Sequence, residues 1–400
     1  MTSKITIEGR GSRADSLAMN RRTLLTGAMA SIAAPALALG RREDSLDAFL
    51  SAQLRSGAIP GMAIGVARQG KVVFQRGYGF ADLASRRRVT TDTMFHIASV
   101  TKTVTATAVM MLAGAGKIDL DAPANRYLDF EVVNPAHPEA AITVRQLLMH
   151  LSSISDETYY KVDFRTPGRD SSQELGPFLK DYLVPGGEHY RATGSFSPLV
   201  PGGGYAYCNV GYGLLGYLAG RVAGEDLRSF TQRRLFAPLG MRHISWTIAG
   251  VPPAHRATPY DVVEDRLVPV EPVGFPDWPV GMLRASVAGF MPFVAASANG
   301  GAAGGRRILT PPAQAEMLAM HAPPGLPTWL TGQGLGWMES REGMSLRINH
   351  WGGDPGVFTA VYLDPASATG IAIFTNTSAT SSSRTAIKAI AARLLTAART

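Results

Sequence analysis

The 400-residue sequence contains a single cysteine, Cys208, so no disulfide can close within the chain and no cysteine-rich zinc or iron–sulfur site can form. Its 8 histidines show neither an H-x-H nor an H-E-x-x-H spacing, which removes the usual signatures of a metallohydrolase. No basic run is longer than Arg86-Arg87-Arg88, so the formal charge of +8 is spread out rather than gathered into a nucleic-acid stripe. No apolar run reaches the length of a membrane span, and neither an internal repeat nor a low-complexity linker is present. What remains is 18% charged and 46% hydrophobic residues. That balance excludes a disordered chain, a collagen and a disulfide scaffold. The length suffices for one large core or two domains.

Near the N-terminus, Asn20-Arg21-Arg22-Thr23-Leu24-Leu25 opens a mildly apolar stretch that closes at Ala36-Leu37-Ala38. Paired arginines before an apolar stretch ending in A-x-A have the form of a twin-arginine export signal. Gly27, Ser31 and Pro35 leave the stretch too short and too broken for a membrane helix. Residues 1–38 are therefore expected to be cleaved after Ala38, with the mature protein periplasmic or secreted and not inserted in a membrane. The competing reading is an arginine-containing tail on a cytoplasmic protein.

Gly61–Arg68 and Lys71–Gly79 are two β-branched runs separated by Gln69-Gly70, a tight hairpin signal. Three more such runs, Ser345–His350, Val357–Asp364 and Gly370–Thr375, lie near the other end, joined by Gly, Pro and Asp turns. A closing segment, Ser383–Ala398, carries Ile387, Ile390, Leu394 and Leu395 at helical spacing. Val100–Ala115, Val144–His150 and Gly211–Ala223 also read as helix, whereas 160–205 and 250–280 read as loops lining something. The pattern predicts an α+β fold. An antiparallel sheet of about five strands, built from both chain ends, has flanking helices (41–118 and 275–400) and a mainly helical insertion over 119–274.

Three short motifs carry chemistry. Ser99-Val100-Thr101-Lys102 is an S-x-x-K, whose first and last residues share a helix face. Serine needs a neighbouring base, and a lysine withdrawn from water gives up its proton more readily. Lys102 is the one charge between Val100 and Ala115, which argues that it is buried for a reason. Tyr207-Cys208-Asn209 follows a glycine-rich turn; an extended Y-x-N puts phenol and amide on the same side, and a tyrosinate beside a lysinium can take the serine proton. Taken alone, the segment reads better as a core tyrosine packed under a glycine turn. His350-Trp351-Gly352-Gly353 ends a strand, where small residues allow close approach and backbone N–H groups can form half of an oxyanion hole. The plain alternative is a hairpin turn with a packed tryptophan.

The order S-x-x-K, Y-x-N, H-x-G resembles the serine β-lactamase and penicillin-binding-protein superfamily. Phe95–Lys102 (FHIASVTK), Gly116–Asp121 (GKIDLD), Ile142–His150 (ITVRQLLMH) and Tyr207–Tyr212 (YCNVGY) are similar to its class C branch and the esterase and DD-peptidase relatives. The resemblance covers roughly residues 45–398. It implies Ser99 as acylated nucleophile, Lys102 and Tyr207 as a coupled base system, and Asn209 as a substrate-orienting residue. It further implies an oxyanion hole from the amides of Ser99 and Gly353, and no cofactor. His350 stands where class C β-lactamases carry the lysine of K-T-G, and Trp351 replaces the hydroxyl residue. Losing both weakens recognition of a carboxylate, and a W-G-G here resembles the family VIII carboxylesterases. On that resemblance His350, Trp351 and Gly352 are expected to bind substrate. A glycine of the family pattern after His150-Leu151-Ser152 has become Ser153. The leading expectation is a serine hydrolase on small acyl esters. A class C-type β-lactamase or D-amino-acid peptidase is the alternative, and a binding protein that lost turnover comes third.

Overall fold

The computed structural model describes residues 33–342 and 345–397. Residues 1–32 of the segment read as an export signal lie outside this range. Contacts divide the chain into residues up to 50 and residues 51–400. Helix α1 (Ala33–Ser56) opens the described residues. All that follows concerns the second unit.

Its main sheet contains the five anticipated runs: β1 (Gly61–Arg68), β2 (Lys71–Asp82), and, beyond short pieces, the three C-terminal strands. The remaining members are β3 (Arg87–Arg88), β4 (Gly332–Gln333), β5 (Met338–Glu342), β6 (Ser345–Asp354), β7 (Val357–Asp364) and β8 (Thr369–Thr375). The spatial order is β4-β5-β6-β7-β8-β1-β2-β3, antiparallel throughout, so eight strands are present where about five were expected. The additional strands are short edge pieces, too brief to show an alternating pattern in sequence. The two chain ends meet where β1 pairs with β8, Met62 opposite Thr375. Gln69 and Gly70 at the β1–β2 turn have φ of 49° and 72°, the left-handed pair that suits the twist of a two-residue hairpin.

Helix α2 (Thr101–Gly114) is buried along nearly its whole length. Three of its threonines donate to backbone carbonyls: Thr103 Oγ1 to Val100 and Thr107 Oγ1 to Thr103 within the turn before each, and Thr105 Oγ1 to Pro279 across the fold, each at 2.7 Å. Helix α3 (Asn209–Ala223) packs against α2. Helix α4 (Val287–Ala298), not anticipated from sequence, lies on β1 and β8. A Cβ on Gly65 of β1 would stand 2.4 Å from Met291 Cγ, so glycine is what lets α4 approach. Helix α5 (Ser381–Ala397) closes the described chain and packs on β7 and β8. Among the described residues, no helix is long and apolar enough to cross a membrane.

Candidate active site

Strand Met94–His96 pairs with Arg284–Ser286, and Ile97 N–H continues that ladder to the Leu283 carbonyl. The chain then turns sharply, with Ala98 at φ 43°, through a single 3₁₀ turn (Ala98–Val100) into α2. Ser99 stands on this turn and Lys102 on the first turn of the helix. Strand β6 passes its free edge against the same turn, because its partner β5 ends opposite Asn349 and leaves residues 350–354 unpaired on that side. A Cβ on Gly352 would fall 2.3 Å from the Ile97 carbonyl and 3.0 Å from Ser99 N, so only glycine lets strand and turn meet. Gly353 opens into empty space, and both Ser99 and Gly353 line a cleft of about 420 Å³. A larger cavity, about 690 Å³, runs beside Gly216–Arg228 and holds none of the motif residues.

The Lys102 side chain is completely buried. Its Nζ lies 2.8 Å from Asn209 Oδ1, 2.9 Å from the Val280 carbonyl and 3.2 Å from Ser99 Oγ. Burial pulls its pKa from 10.5 down to about 7, with the Asp156 and Asp277 charges resisting. A neutral amine has two N–H groups and one lone pair. The two carbonyl-type oxygens accept and cannot donate, so they occupy both N–H groups. The lone pair is then left for Ser99 Oγ. Tyr207 is held above Lys102, Nζ lying 5.0 Å from the ring centroid. Burial pushes the Tyr207 phenol up, against the opposing effect of its hydrogen bond with Ser99. At rest the Tyr207 phenol keeps its proton, and near pH 7 the Lys102 side chain is divided between amine and ammonium.

Several residues outside the three motifs support the site; of these, Asp156, Asp277 and Tyr160 carried no sequence signal. Asp156, 6% exposed, accepts from Asn209 N–H at 2.6 Å, Val210 N–H at 3.1 Å and the Cys208 thiol at 3.1 Å. It satisfies the orphan donors at the start of α3 and so fixes Tyr207-Cys208-Asn209. His150 stacks on Tyr207 at 4.4 Å and accepts from Cys208 N–H through Nδ1. Burial keeps it neutral. Asp277, fully buried, accepts from Tyr159 Oη at 3.2 Å, and burial raises it to about 7. Tyr160, largely exposed, takes a hydrogen bond from Asn209 Nδ2 at 3.0 Å over the cleft. Ser153 has φ 62°, the reason a glycine suits this place, and its Oγ accepts from Asn134 Nδ2 at 2.9 Å.

The structure brings Ser99, Lys102, Tyr207, Asn209, Gly352 and Gly353 together. Of the residues expected to bind substrate, Asn209 lines the cleft, whereas His350, Trp351 and Gly352 do not. His350 is 1% exposed, donates from Nδ1 to the Trp351 carbonyl at 2.9 Å, and is lowered to about 3 by burial and then by the Lys102 charge. Trp351 stacks on Trp329 at 5.6 Å, with the Lys388 ammonium 5.0 Å from its ring.

A family model described as Beta-lactamase matches residues 46–395. The esterase EstB of Burkholderia gladioli is 32% identical over 223 residues, which is 54% of each chain. Protein flp of Staphylococcus aureus is 24% identical over 55% of this chain and 41% of its own. The chain thus matches about half the length of these curated relatives or less. Among solved structures, the penicillin-binding protein homologue from Pyrococcus abyssi superposes with a TM-score of 0.68 at 22% identity, covering 88% of this chain and 77% of that one. The D-alanine carboxypeptidase AmpC from Burkholderia cenocepacia gives 0.66 at 22%, covering 89% and 99%. These likenesses establish the fold.

Proposed function

From the premise that this chain belongs to the beta-lactamase family, we propose that it is a serine hydrolase acting on small, uncharged acyl esters through an acyl-enzyme. The observation that carries the reading is Lys102: buried, lowered to about 7, its two N–H groups occupied by Asn209 and Val280 and its lone pair left for Ser99. In the first step Ser99 Oγ bonds to the ester carbonyl carbon while its proton passes to Lys102 Nζ. The Ser99 and Gly353 amides stabilise the oxyanion. The carbon–oxygen bond to the leaving alcohol then breaks, and the proton travels from Lys102 through the Tyr207 phenol to the leaving oxygen. A water molecule, deprotonated by the same pair, releases the acid and restores Ser99.

The preference for esters over β-lactams rests on His350. At neutral pH it is buried and uncharged, so this strand end offers no cation to a β-lactam carboxylate. A charge-assisted hydrogen bond contributes about 1.5–3 kcal/mol, or roughly one to two powers of ten in binding. A fluorophosphonate probe should add a single label to the wild type and none to Ser99→Ala. On one preparation, kcat/KM for p-nitrophenyl butyrate should exceed that for a chromogenic cephalosporin. Labelling retained in Ser99→Ala would remove the nucleophile, and a cephalosporin value equal to or above the ester value would overturn the ester preference. Arg21-Arg22 support export by a twin-arginine route. Replacing them with Lys-Lys should hold the precursor in the cytoplasm, and unchanged export would refute that route.

A further inference from the structure

One end of the cleft carries charge that the hydrolytic steps do not use. It is formed by Asp163, Arg165 and Asp354, beside the rings of Tyr159, Tyr160, Phe164 and Phe275. Arg165 is committed: Nε and Nη2 fork onto the two carboxylate oxygens of Asp163 at 2.8 and 3.1 Å, and the pair is neutral as a unit. Asp354 is different. It directly follows Gly353, at the last position of β6. Among the described residues, no donor lies within hydrogen-bonding distance of its carboxylate. Arg284, the other cation whose charge reaches it, spends Nη1 on the Met282 carbonyl at 2.6 Å and Nη2 on the Val273 carbonyl at 2.8 Å. Arg284 also lies behind the cleft wall, not on it.

The cleft therefore presents one carboxylate with its hydrogen-bonding capacity unused. Burial raises Asp354 to about 6, which leaves it ionised at neutral pH. A half-buried carboxylate without a donor is costly, and a ligand ammonium would relieve that cost. The surrounding aromatic faces favour the same kind of group. A ligand carboxylate in this place would meet like charge. Where the resemblance leads one to expect a lysine, β6 has a neutral His350, and four residues on it has an anion.

We propose that Asp354 is a specificity-determining residue that selects substrates bearing a positively charged amine and turns away those bearing a carboxylate. This rests on the hydrolase reading and names its substrate class more narrowly. No covalent step is involved: the carboxylate accepts hydrogen bonds from the substrate ammonium while Ser99 attacks the carbonyl.

The test compares three p-nitrophenyl esters of equal reach: hexanoate, 6-aminohexanoate and hemiadipate. In the wild type, kcat/KM should fall in the order amine, neutral, acid. In Asp354→Asn the ratio of amine to acid should drop about ten- to a hundred-fold, the size of one charge-assisted bond. Asp354→Ser removes the charge with a smaller side chain and should give the same drop should the asparagine variant fail to fold. Fluorophosphonate labelling of each preparation separates the two levels of failure. A wild type that is labelled but shows no preference for amine over acid, or labelled variants with an unchanged ratio, would overturn the role of Asp354 alone. A wild type that neither takes label nor cleaves any ester would overturn the hydrolase reading and this proposal with it.

Discussion

Replacing Lys102 with methionine should end catalysis and at the same time alter how stability depends on pH. The ammonium is completely buried, and burial lowers its pKa from 10.5 to about 7. Between those values the unfolded chain holds a proton that the folded chain does not. The free energy of unfolding then rises with pH by about 1.4 kcal/mol per unit. Lys102 thus withholds about 5 kcal/mol below pH 7 relative to pH above 10.5, because the unfolded chain gains from protonation and the folded chain does not. Methionine fills similar volume without charge, but it leaves Asn209 Oδ1 and the Val280 carbonyl short of a donor, at about 1–3 kcal/mol each. Those losses do not vary with pH, whereas the lysine contribution does. Lys102 is half protonated at pH 7 in the folded protein, so urea unfolding of both proteins at pH 7, 8 and 9 should show the stability difference moving by about 2 kcal/mol in favour of the lysine protein across the series. Titrating groups that do not feel the Lys102 charge cancel in the difference; Asp277, whose carboxyl that charge lowers, rises in the variant and moves the difference in the same direction. The same amine should give a rising limb in kcat/KM centred near pH 7, since only its neutral form accepts the Ser99 proton. Parallel stability curves for the two proteins would refute a deprotonated Lys102.

Lys102→Ala and Tyr207→Phe should each lower kcat by at least ~10³, and the double variant by little more, because both lie on one proton path; additive losses would separate their roles. Gly352→Ala should lower kcat by about 10² with the fold retained by circular dichroism, since its Cβ would meet the Ile97 carbonyl at 2.3 Å and displace the Ser99 turn; normal turnover would show the turn tolerates the shift. Ala368→Gly, in the turn between β7 and β8 at φ 47°, should stabilise the protein by about 0.5–1 kcal/mol in urea, because alanine is strained in the left-handed region; a lower midpoint would refute that account.

How far the sequence revealed the fold depended on whether a local pattern stood for the tertiary one. The five long strands were legible because β-branched runs ended in Gly, Pro or Asp turns, and Gln69-Gly70 adopts the left-handed pair its composition implies. Helix α4 was not legible. Its residues are buried on nearly every side against β1 and β8, so no helical stripe shows, and Pro292 lies within it. The S-x-x-K was legible because its partners are one helical turn apart. Asp156 was not, because it acts through three donors more than fifty residues away, and nothing in Ser155-Asp156-Glu157 marks it. The cleft wall from Tyr159 to Arg165 falls under the same reason.

The strand end shows how environment changes what a substitution means. Read from sequence, histidine in place of lysine is a weakened cation that a neighbour's charge can restore near neutral pH. In place, His350 is 1% exposed and lies within the field of Lys102, and both effects disfavour its charge. The cation at this position is therefore removed rather than reduced. Trp351 adds nothing to compensate, since its ring is stacked on Trp329 outside the cleft. The charge that β6 presents to the cleft is then that of its last residue, Asp354, opposite in sign to the lysine of the K-T-G motif that the sequence resembles. Residue identity at the motif pointed to this strand end, while burial of His350 and the residue four places on set the charge it presents to the cleft.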